Sequence, residues 1–299
     1  MKILLLGCKG QVGWELERSL ALLGQVTALT RHGENGLSGD LSEPKSLAAT
    51  IQAHSPDIIV NAAAYTNVDQ AEREPFLART INALAPEVMA REAQRLDALL
   101  VHYSTDYVFN GSGRRPWREG DIPEPKSIYG QTKLEGEEAV RKSGCSHLIF
   151  RTSWVYAARG KNFIHTMLKL ALERESLQVI HDQIGAPTGA ELIADVTAHA
   201  LRAAQQDSSL SGTYHLAASG EISWWDYARL VIDEGSRAGL AFKTTADEVQ
   251  PVSSEEFHTL ASRPKNSRLD TTRLQKAFSI HLPEWEHGVR RCIHEICTG

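Results

Sequence analysis

Tyr129 and Lys133 stand four residues apart in Tyr129-Gly-Gln-Thr-Lys133. On a helix that spacing puts both side chains on one face, one turn apart. The pair suits proton delivery to a carbonyl oxygen. A free phenol titrates near about 10, and an adjacent ammonium stabilises the phenolate and lowers that value. Upstream, an apolar run ends in Ser104-Thr105-Asp106-Tyr107-Val108-Phe109. Thr105 is the candidate to hydrogen-bond a substrate carbonyl and polarise it. Ser104, one residue earlier on an extended strand, faces the other way. Asp106 is placed to tune the site or to bind substrate hydroxyls, and Tyr107 and Phe109 to pack beneath it.

A second constellation opens the chain. Lys2–Leu6 is apolar and leads into Gly7-Cys-Lys-Gly10-Gln11-Val12-Gly13, followed by a helical pattern. Glycines between a strand and a helix allow a tight turn and close backbone approach to a pyrophosphate, which rests on the helix N-terminus. An acidic residue after the second strand would select a free ribose hydroxyl. Here the segment reads Thr30-Arg31, which suits a 2′-phosphate, so NADPH is favoured over NADH. Asp40 and Leu41 are candidates to lie against the adenine. Ala62, Ala63 and Ala64 follow the third strand, where small side chains let a dinucleotide cross the strand ends.

The elements that position these groups alternate. Apolar runs at Lys2–Leu6, Val26–Leu29, Ile58–Val60, Leu99–Tyr103 and His147–Arg151 are separated by helical patterns at Gln11–Leu23, Pro44–Ala53, Pro75–Leu96 and Tyr129–Lys142. The Pro75–Leu96 stretch carries a break signal at Pro86. Strands apolar on both faces, separated by helices, imply a parallel sheet covered on both sides, the doubly wound α/β class of Rossmann type. Beyond residue 155 the pattern loosens. Helical spacing recurs at Phe163–Ala171, Leu192–Ala200 and Trp285–Ile296, with short strand candidates at Gln178–Ile180 and Thr213–Leu216. The expected division is a dinucleotide-binding part over 1–155, with some later segments returning to it, and a smaller interleaved α/β substrate-binding part over 156–299.

Composition removes other classes. With 299 residues, 42% hydrophobic and 23% charged, the chain is an ordinary globular protein. A net charge of −5 lacks the basic excess of a nucleic-acid binder. No apolar run approaches about 18 residues, so no membrane span is expected. The four-residue run before Gly7-Cys8 is too short for a signal segment. Cys8, Cys145, Cys292 and Cys297 show no metal or disulfide spacing and read as free thiols in a reducing cytoplasm.

Taken together, Gly7-x-x-Gly-Gln-Val-Gly13, Asn61-Ala-Ala-Ala-Tyr-Thr66, Tyr103-Ser-Thr-Asp-Tyr-Val-Phe109, Tyr129-Gly-x-Thr-Lys133, Arg151-Thr-Ser-Trp-Val-Tyr156, Gly185-Ala-Pro-Thr-Gly189 and Arg263-Pro-x-Asn-Ser-Arg268 resemble the dTDP-4-dehydrorhamnose reductase family of the extended short-chain dehydrogenases/reductases. The resemblance spans essentially the whole chain. It implies reduction of the C4 ketone of dTDP-4-dehydro-L-rhamnose by NADPH or NADH, with Thr105, Tyr129 and Lys133 as the catalytic set. It further implies Trp154 lining the sugar and nicotinamide pocket, and Arg263 and Lys265 near the diphosphate. Some members are homodimers with a magnesium ion held by glutamates, and the matching positions are Glu15, Glu191 and Glu295. Other members are metal-free monomers, and glutamates this far apart form no motif by themselves. Two alternatives share the fold. A nucleotide-sugar epimerase or dehydratase would retain NAD tightly, and a non-catalytic regulatory subunit of methionine adenosyltransferase would bind a partner enzyme.

Overall fold

The computed structural model describes residues 1–299 apart from Glu34, Asn35, His258 and Gly299. The first half alternates as expected: β1 (Lys2–Leu6), α1 (Gln11–Leu20), β2 (Gln25–Leu29), α2 (Pro44–His54), β3 (Ile58–Asn61), α3 (Val68–Arg73), α4 (Pro75–Arg79), α5 (Ala85–Leu96), β4 (Leu99–Thr105), α6 (Ile128–Ser143) and β5 (His147–Thr152). The second half runs β6 (Val155–Tyr156), α7 (Phe163–Glu173), β7 (Leu177–Ile180), β8 (Ile184–Gly185), β9 (Thr188–Gly189) and α8 (Ala190–Gln206). It continues through β10 (Gly212–His215), β11 (Ile222–Ser223), α9 (Trp224–Arg237), β12 (Val249–Val252), α10 (Thr272–Phe278) and α11 (Trp285–Thr298).

Six strands form one sheet in the order β10-β5-β4-β3-β1-β2, every pair parallel. Alternation along β1 shows why its residues are all apolar. Ile3 and Leu5 pack on one face with α1, α8 and α10, and Leu4 and Leu6 pack on the other with α2 and α5. The sheet turns from β1 outward in two directions, so the crevice beyond the ends of β1 and β3 is where such folds place ligands. β10, α8 and α10 come from the second half of the chain yet complete this sheet and one of its faces. A further core joins α7, α9 and α11. Three two-stranded pairings, β6-β9, β7-β12 and β8-β11, organise the segments around it.

Two helices differ from the sequence pattern. α1 ends at Leu20 and not Leu23, because the amide of Leu23 donates to the carbonyl of Leu20 in a tight turn that feeds β2. The Pro75–Leu96 stretch breaks ahead of Pro86: a π-helical turn over Thr80–Leu84 separates α4 from α5. Pro86 sits in the first turn of α5, where its missing amide proton is no loss. The wide turn serves Asn82, which is buried. Its Oδ1 accepts from the Tyr65 amide (2.9 Å), and its Nδ2 donates to the Tyr65 carbonyl (3.1 Å) and to Thr132 Oγ1 (3.2 Å). One side chain thus ties the loop after β3 to α6.

Candidate active site

A cavity of about 660 Å³ opens at the C-terminal ends of β1, β3 and β4. Its first wall is the glycine turn. Gly7 has a left-handed φ of +85°, and a Cβ there would stand 2.8 Å from the Ala63 nitrogen. Gly13 lies so close to the Gly7 carbonyl that a Cβ would meet it at 2.1 Å. Only glycine permits this turn against the end of β3. Gly10 caps α1, so the helix N-terminus faces the cavity. Gly7, Gly10, Gln11, Val12, Ala62, Ala63 and Ala64 all line it. The cradle fits a dinucleotide: its backbone is close, its side chains are small, and Lys9 and Lys161 stand at its wall.

The floor is built by β4 and α6. Ser127 caps α6, its side chain accepting from the Gly130 amide, and Glu72 accepts from the Ile128 amide at 2.8 Å. Tyr129 therefore enters on the first turn, with Lys133 one turn behind, and both line the cavity. The Tyr129 ring meets Tyr107 edge-on at 5.4 Å. Thr105 Oγ1 donates to Asp106 Oδ1 (3.0 Å) and accepts from the Tyr107 amide (3.2 Å). Lys133 is buried, and its Nζ donates to the Tyr103 carbonyl at 2.6 Å. Ser104, expected to face away, is also among the lining residues, while its hydroxyl helps to hold down the pKa of Glu137, which Arg151 grips with Nε to Oε1 at 2.8 Å and Nη2 to Oε2 at 2.6 Å.

Electrostatics on this floor follow burial. Desolvation pushes the Tyr129 phenol up to about 12, with the Thr105 hydroxyl opposing and the Asp106 charge adding to the rise. The lowering expected from Lys133 is absent, since desolvation dominates and the Lys133 amine is directed at Tyr103. Burial brings Lys133 down to about 8, against the pull of Glu137. Burial raises Asp106 to about 6, with hydrogen bonds from Ser267, Thr105 and backbone amides opposing.

The remaining sequence candidates divide between the cavity and its surroundings. Trp154 lines the cavity in a left-handed conformation (φ +49°) and stacks on Trp224 at 3.5 Å. Arg31 is exposed and pairs with Asp40 at 3.1 Å, and Leu41 is buried in the core of that face. None of these three reaches the cavity lining. Arg263 and Lys265 are also outside it and are held by carboxylates, Asp69 at 2.6 Å and Asp182 at 3.0 Å. The sequence reading missed, among others, Lys9, Ser104, Thr66, Val68, Lys161 and Trp224 of the lining residues. Lys9 could have been found inside the glycine motif itself, but Lys161 and Trp224 carry no local signal.

Glu15, Glu191 and Glu295 do converge on one small depression beside Tyr156 and Cys292. Burial raises Glu191, with Glu15 and Glu295 adding to the rise and Arg291 opposing it. Arg291 stands 3.5 Å from Glu191 and Arg18 3.6 Å from Glu15. Among the described residues no group of three or more His, Cys, Asp or Glu is disposed to hold a metal ion. With Glu15 and Glu191 each beside an arginine, the glutamates of this chain do not fit magnesium as they stand. Nor, among the described residues, is any helix long and apolar enough to cross a membrane.

A family model described as the RmlD substrate binding domain matches residues 1–298. A dTDP-4-dehydrorhamnose reductase of Salmonella typhimurium is 52% identical over 100% of this chain and 99% of its own length. The solved dTDP-4-dehydrorhamnose reductase of Bacillus anthracis, in complex with NADP, is 34% identical with a TM-score of 0.85, covering 98% of this chain and 99% of its own. A UDP-glucose 4-epimerase of Thermus thermophilus, in complex with NAD, is 17% identical with a TM-score of 0.79 over 100% of both chains, a likeness of fold alone. The chain belongs to the dTDP-4-dehydrorhamnose reductase family.

Proposed function

We propose that this protein reduces the C4 ketone of dTDP-4-dehydro-L-rhamnose with NADPH, giving dTDP-L-rhamnose. One observation carries the reading. A single cavity joins the glycine turn, Ala62–Ala64, Thr105, Tyr129 and Lys133 in a chain of this family from end to end. When bound, the reduced nicotinamide supplies the hydride. The protein supplies the cradle, the proton and the polarising group.

Gly7, Gly10, Gln11, Val12 and the α1 N-terminus receive the pyrophosphate, and Ala62, Ala63 and Ala64 let the dinucleotide cross the strand ends. Arg31, exposed and free to swing from Asp40, is the partner for a 2′-phosphate. Tyr129 Oη keeps its proton at neutral pH, because its pKa lies near about 12. An alkoxide forming at C4 is more basic than a phenolate, so the proton moves downhill from Tyr129 to it. Thr105 Oγ1 turns its hydrogen bond from Asp106 to the ketone oxygen and stabilises the charge that develops there. Lys133 faces the same oxygen chemistry as a cation held by the Tyr103 carbonyl. The sugar lies against Trp154. Arg263 and Lys265 exchange Asp69 and Asp182 for the diphosphate. The first half, with β10, α8 and α10, serves the cofactor, and the remainder of the second half serves the nucleotide sugar.

The test is loss of reduced-nicotinamide absorbance with purified protein, NADPH and dTDP-4-dehydro-L-rhamnose. NADH runs in parallel, and each reaction is repeated with EDTA. Turnover faster with NADPH and unchanged by EDTA is the expected result. A folded, cofactor-binding protein that gives no turnover overturns the reading, and NAD that survives purification would favour an epimerase.

A further inference from the structure

His102 takes no part in the chemistry above, yet it is buried against the catalytic lysine. It lies on β4 in register with Asn61 on β3 and the apolar Ile149 on β5. His102, Asn61 and Lys133 are all within 2% of complete burial. The ring bridges the other two, with Nδ1 3.1 Å from Asn61 Nδ2 and Nε2 3.4 Å from Lys133 Nζ.

Asn61 decides which ring nitrogen carries the proton. Its Oδ1 accepts from the Ala63 amide at 3.2 Å, so its Nδ2 is the end that faces the ring. An amide nitrogen only donates, so Nδ1 accepts. A neutral ring must then carry its proton on Nε2, aimed at Lys133. A ring N–H opposes an ammonium and donates to a neutral amine. Burial and the Lys133 charge both hold the imidazole neutral.

We propose that His102 is a positioning residue for the reduction: fixed by Asn61 as the Nε2–H tautomer, it directs the Lys133 amine onto the Tyr103 carbonyl and disfavours its charged form. The other groups facing Lys133 push the opposite way or are committed. Glu137, one turn along α6, favours the ammonium but is already bonded to Arg151 and Arg141. Asp106 acts on Tyr129 rather than on Lys133. The descent of Lys133 to about 8 fits a lysine that releases and regains a proton near neutral pH. Burial supplies that descent, and the His102 N–H adds to it by opposing the ammonium across 3.4 Å.

Two measurements test this, and only the second rests on the reductase reading. Long-range proton–nitrogen NMR of the wild-type protein, with the His102 ring assigned through its contacts to the Asn61 amide, reads the tautomer. A neutral ring protonated on Nε2 throughout the active pH range is expected. An Nδ1–H tautomer or an imidazolium overturns the proposal. The second is the pH profile of kcat/KM for wild type and His102→Gln. The glutamine carbonyl reaches the place of Nε2 and accepts from the amine, so the alkaline limb moves up by about one pH unit. KM for NADPH and for the sugar nucleotide stays within about twofold. A lower rate with an unmoved limb is what a merely structural residue gives, and it overturns the proposal. Should His102→Gln not fold, the wild-type ring state still decides. Should the wild type not turn over, the function is misread while the ring state stands or falls by itself.

Discussion

The two banks of the cleft are built on opposite principles. The floor carries Thr105, Tyr129 and Lys133 on the end of β4 and the first turns of α6, and its charged members are buried in contacts made by the backbone or by one another. The C-terminal rim carries Arg263 and Lys265 in the segment between β12 and α10, each neutralised by a carboxylate from another part of the chain. Exposed ion pairs contribute only about 0–1 kcal/mol, so the rim can trade its carboxylates for a ligand's phosphates at little cost. The floor trades less: Lys133 is held by the Tyr103 carbonyl where water does not compensate a lost partner, and Thr105 alone has a bond to redirect, the one to Asp106. On the function proposed above, chemistry falls to the rigid bank and recognition to the exchangeable one.

The largest effect that would break this contrast lies under the floor. Arg151→Met leaves Glu137 buried with only the half-exposed Arg141, and should cost about 3–5 kcal/mol of stability in urea unfolding. Glu137 is held below the usual carboxylate range: burial raises it, and the Arg151 hydrogen bonds and charge outweigh that. A carboxylate lowered by folding contributes stability that is present above its unfolded pKa and lost as pH falls through the folded one. The gap between variant and wild type should therefore close in acid. Next in size, Tyr129→Phe should lower kcat by roughly 10²-fold or more with cofactor affinity preserved. Near-normal turnover would remove the acid from the floor.

Asp106 sharpens the comparison with the opposite sign. Its Oδ1 accepts from Thr105, and burial outweighs the hydrogen bonds from Thr105, Ser267 and the backbone that favour its charged form. Its pKa is raised to about 6, so its contribution to stability is present below the unfolded pKa and is lost as pH rises through about 6. Asp106→Asn should then be more stable than wild type above about pH 7, by on the order of 2 kcal/mol. In acid below the ordinary carboxylate range the gain should vanish. Thermal melts across that range check it, and a variant less stable at neutral pH would show that the hydrogen bonds from Thr105, Ser267 and the backbone outweigh the cost of burial.

How far the sequence could be read follows the same division. The glycine turn, the Tyr129/Lys133 pair and the alternating strands are local patterns fixed by backbone geometry within a few residues, and they stand where their spacing puts them. The break in Pro75–Leu96 was signalled by Pro86, but its place and form depend on Asn82 reaching Tyr65 and Thr132. Such a contact leaves no periodicity. His102 reads as one more residue of an apolar strand, because its meaning comes from Asn61 on the neighbouring strand. Trp224 enters the cavity only because α9 lays it against Trp154. The partners of the rim are further still, with Arg263 and Asp69 separated by 194 positions. Nothing in a residue's own neighbourhood announces a partner at that distance.

The smallest effects belong to the rim, and the two cations should separate there. Arg263 presents a planar fork suited to bidentate phosphate recognition, whereas Lys265 is a point charge on a flexible stem. Arg263 is also the more enclosed, with 26% of its side chain exposed against 53% for Lys265, so water screens it less. Arg263→Ala should raise KM for the sugar nucleotide about tenfold, the equivalent of about 1.4 kcal/mol, with kcat nearly unchanged and KM for NADPH unaffected. Lys265→Ala should raise it by less than about threefold and leave stability within about 0.5 kcal/mol. Steady-state kinetics with each substrate varied in turn would resolve the pair. If Arg263→Ala lowered kcat as strongly as Tyr129→Phe, the rim would be part of the chemistry, and the division between a rigid catalytic bank and an exchangeable binding bank would fail.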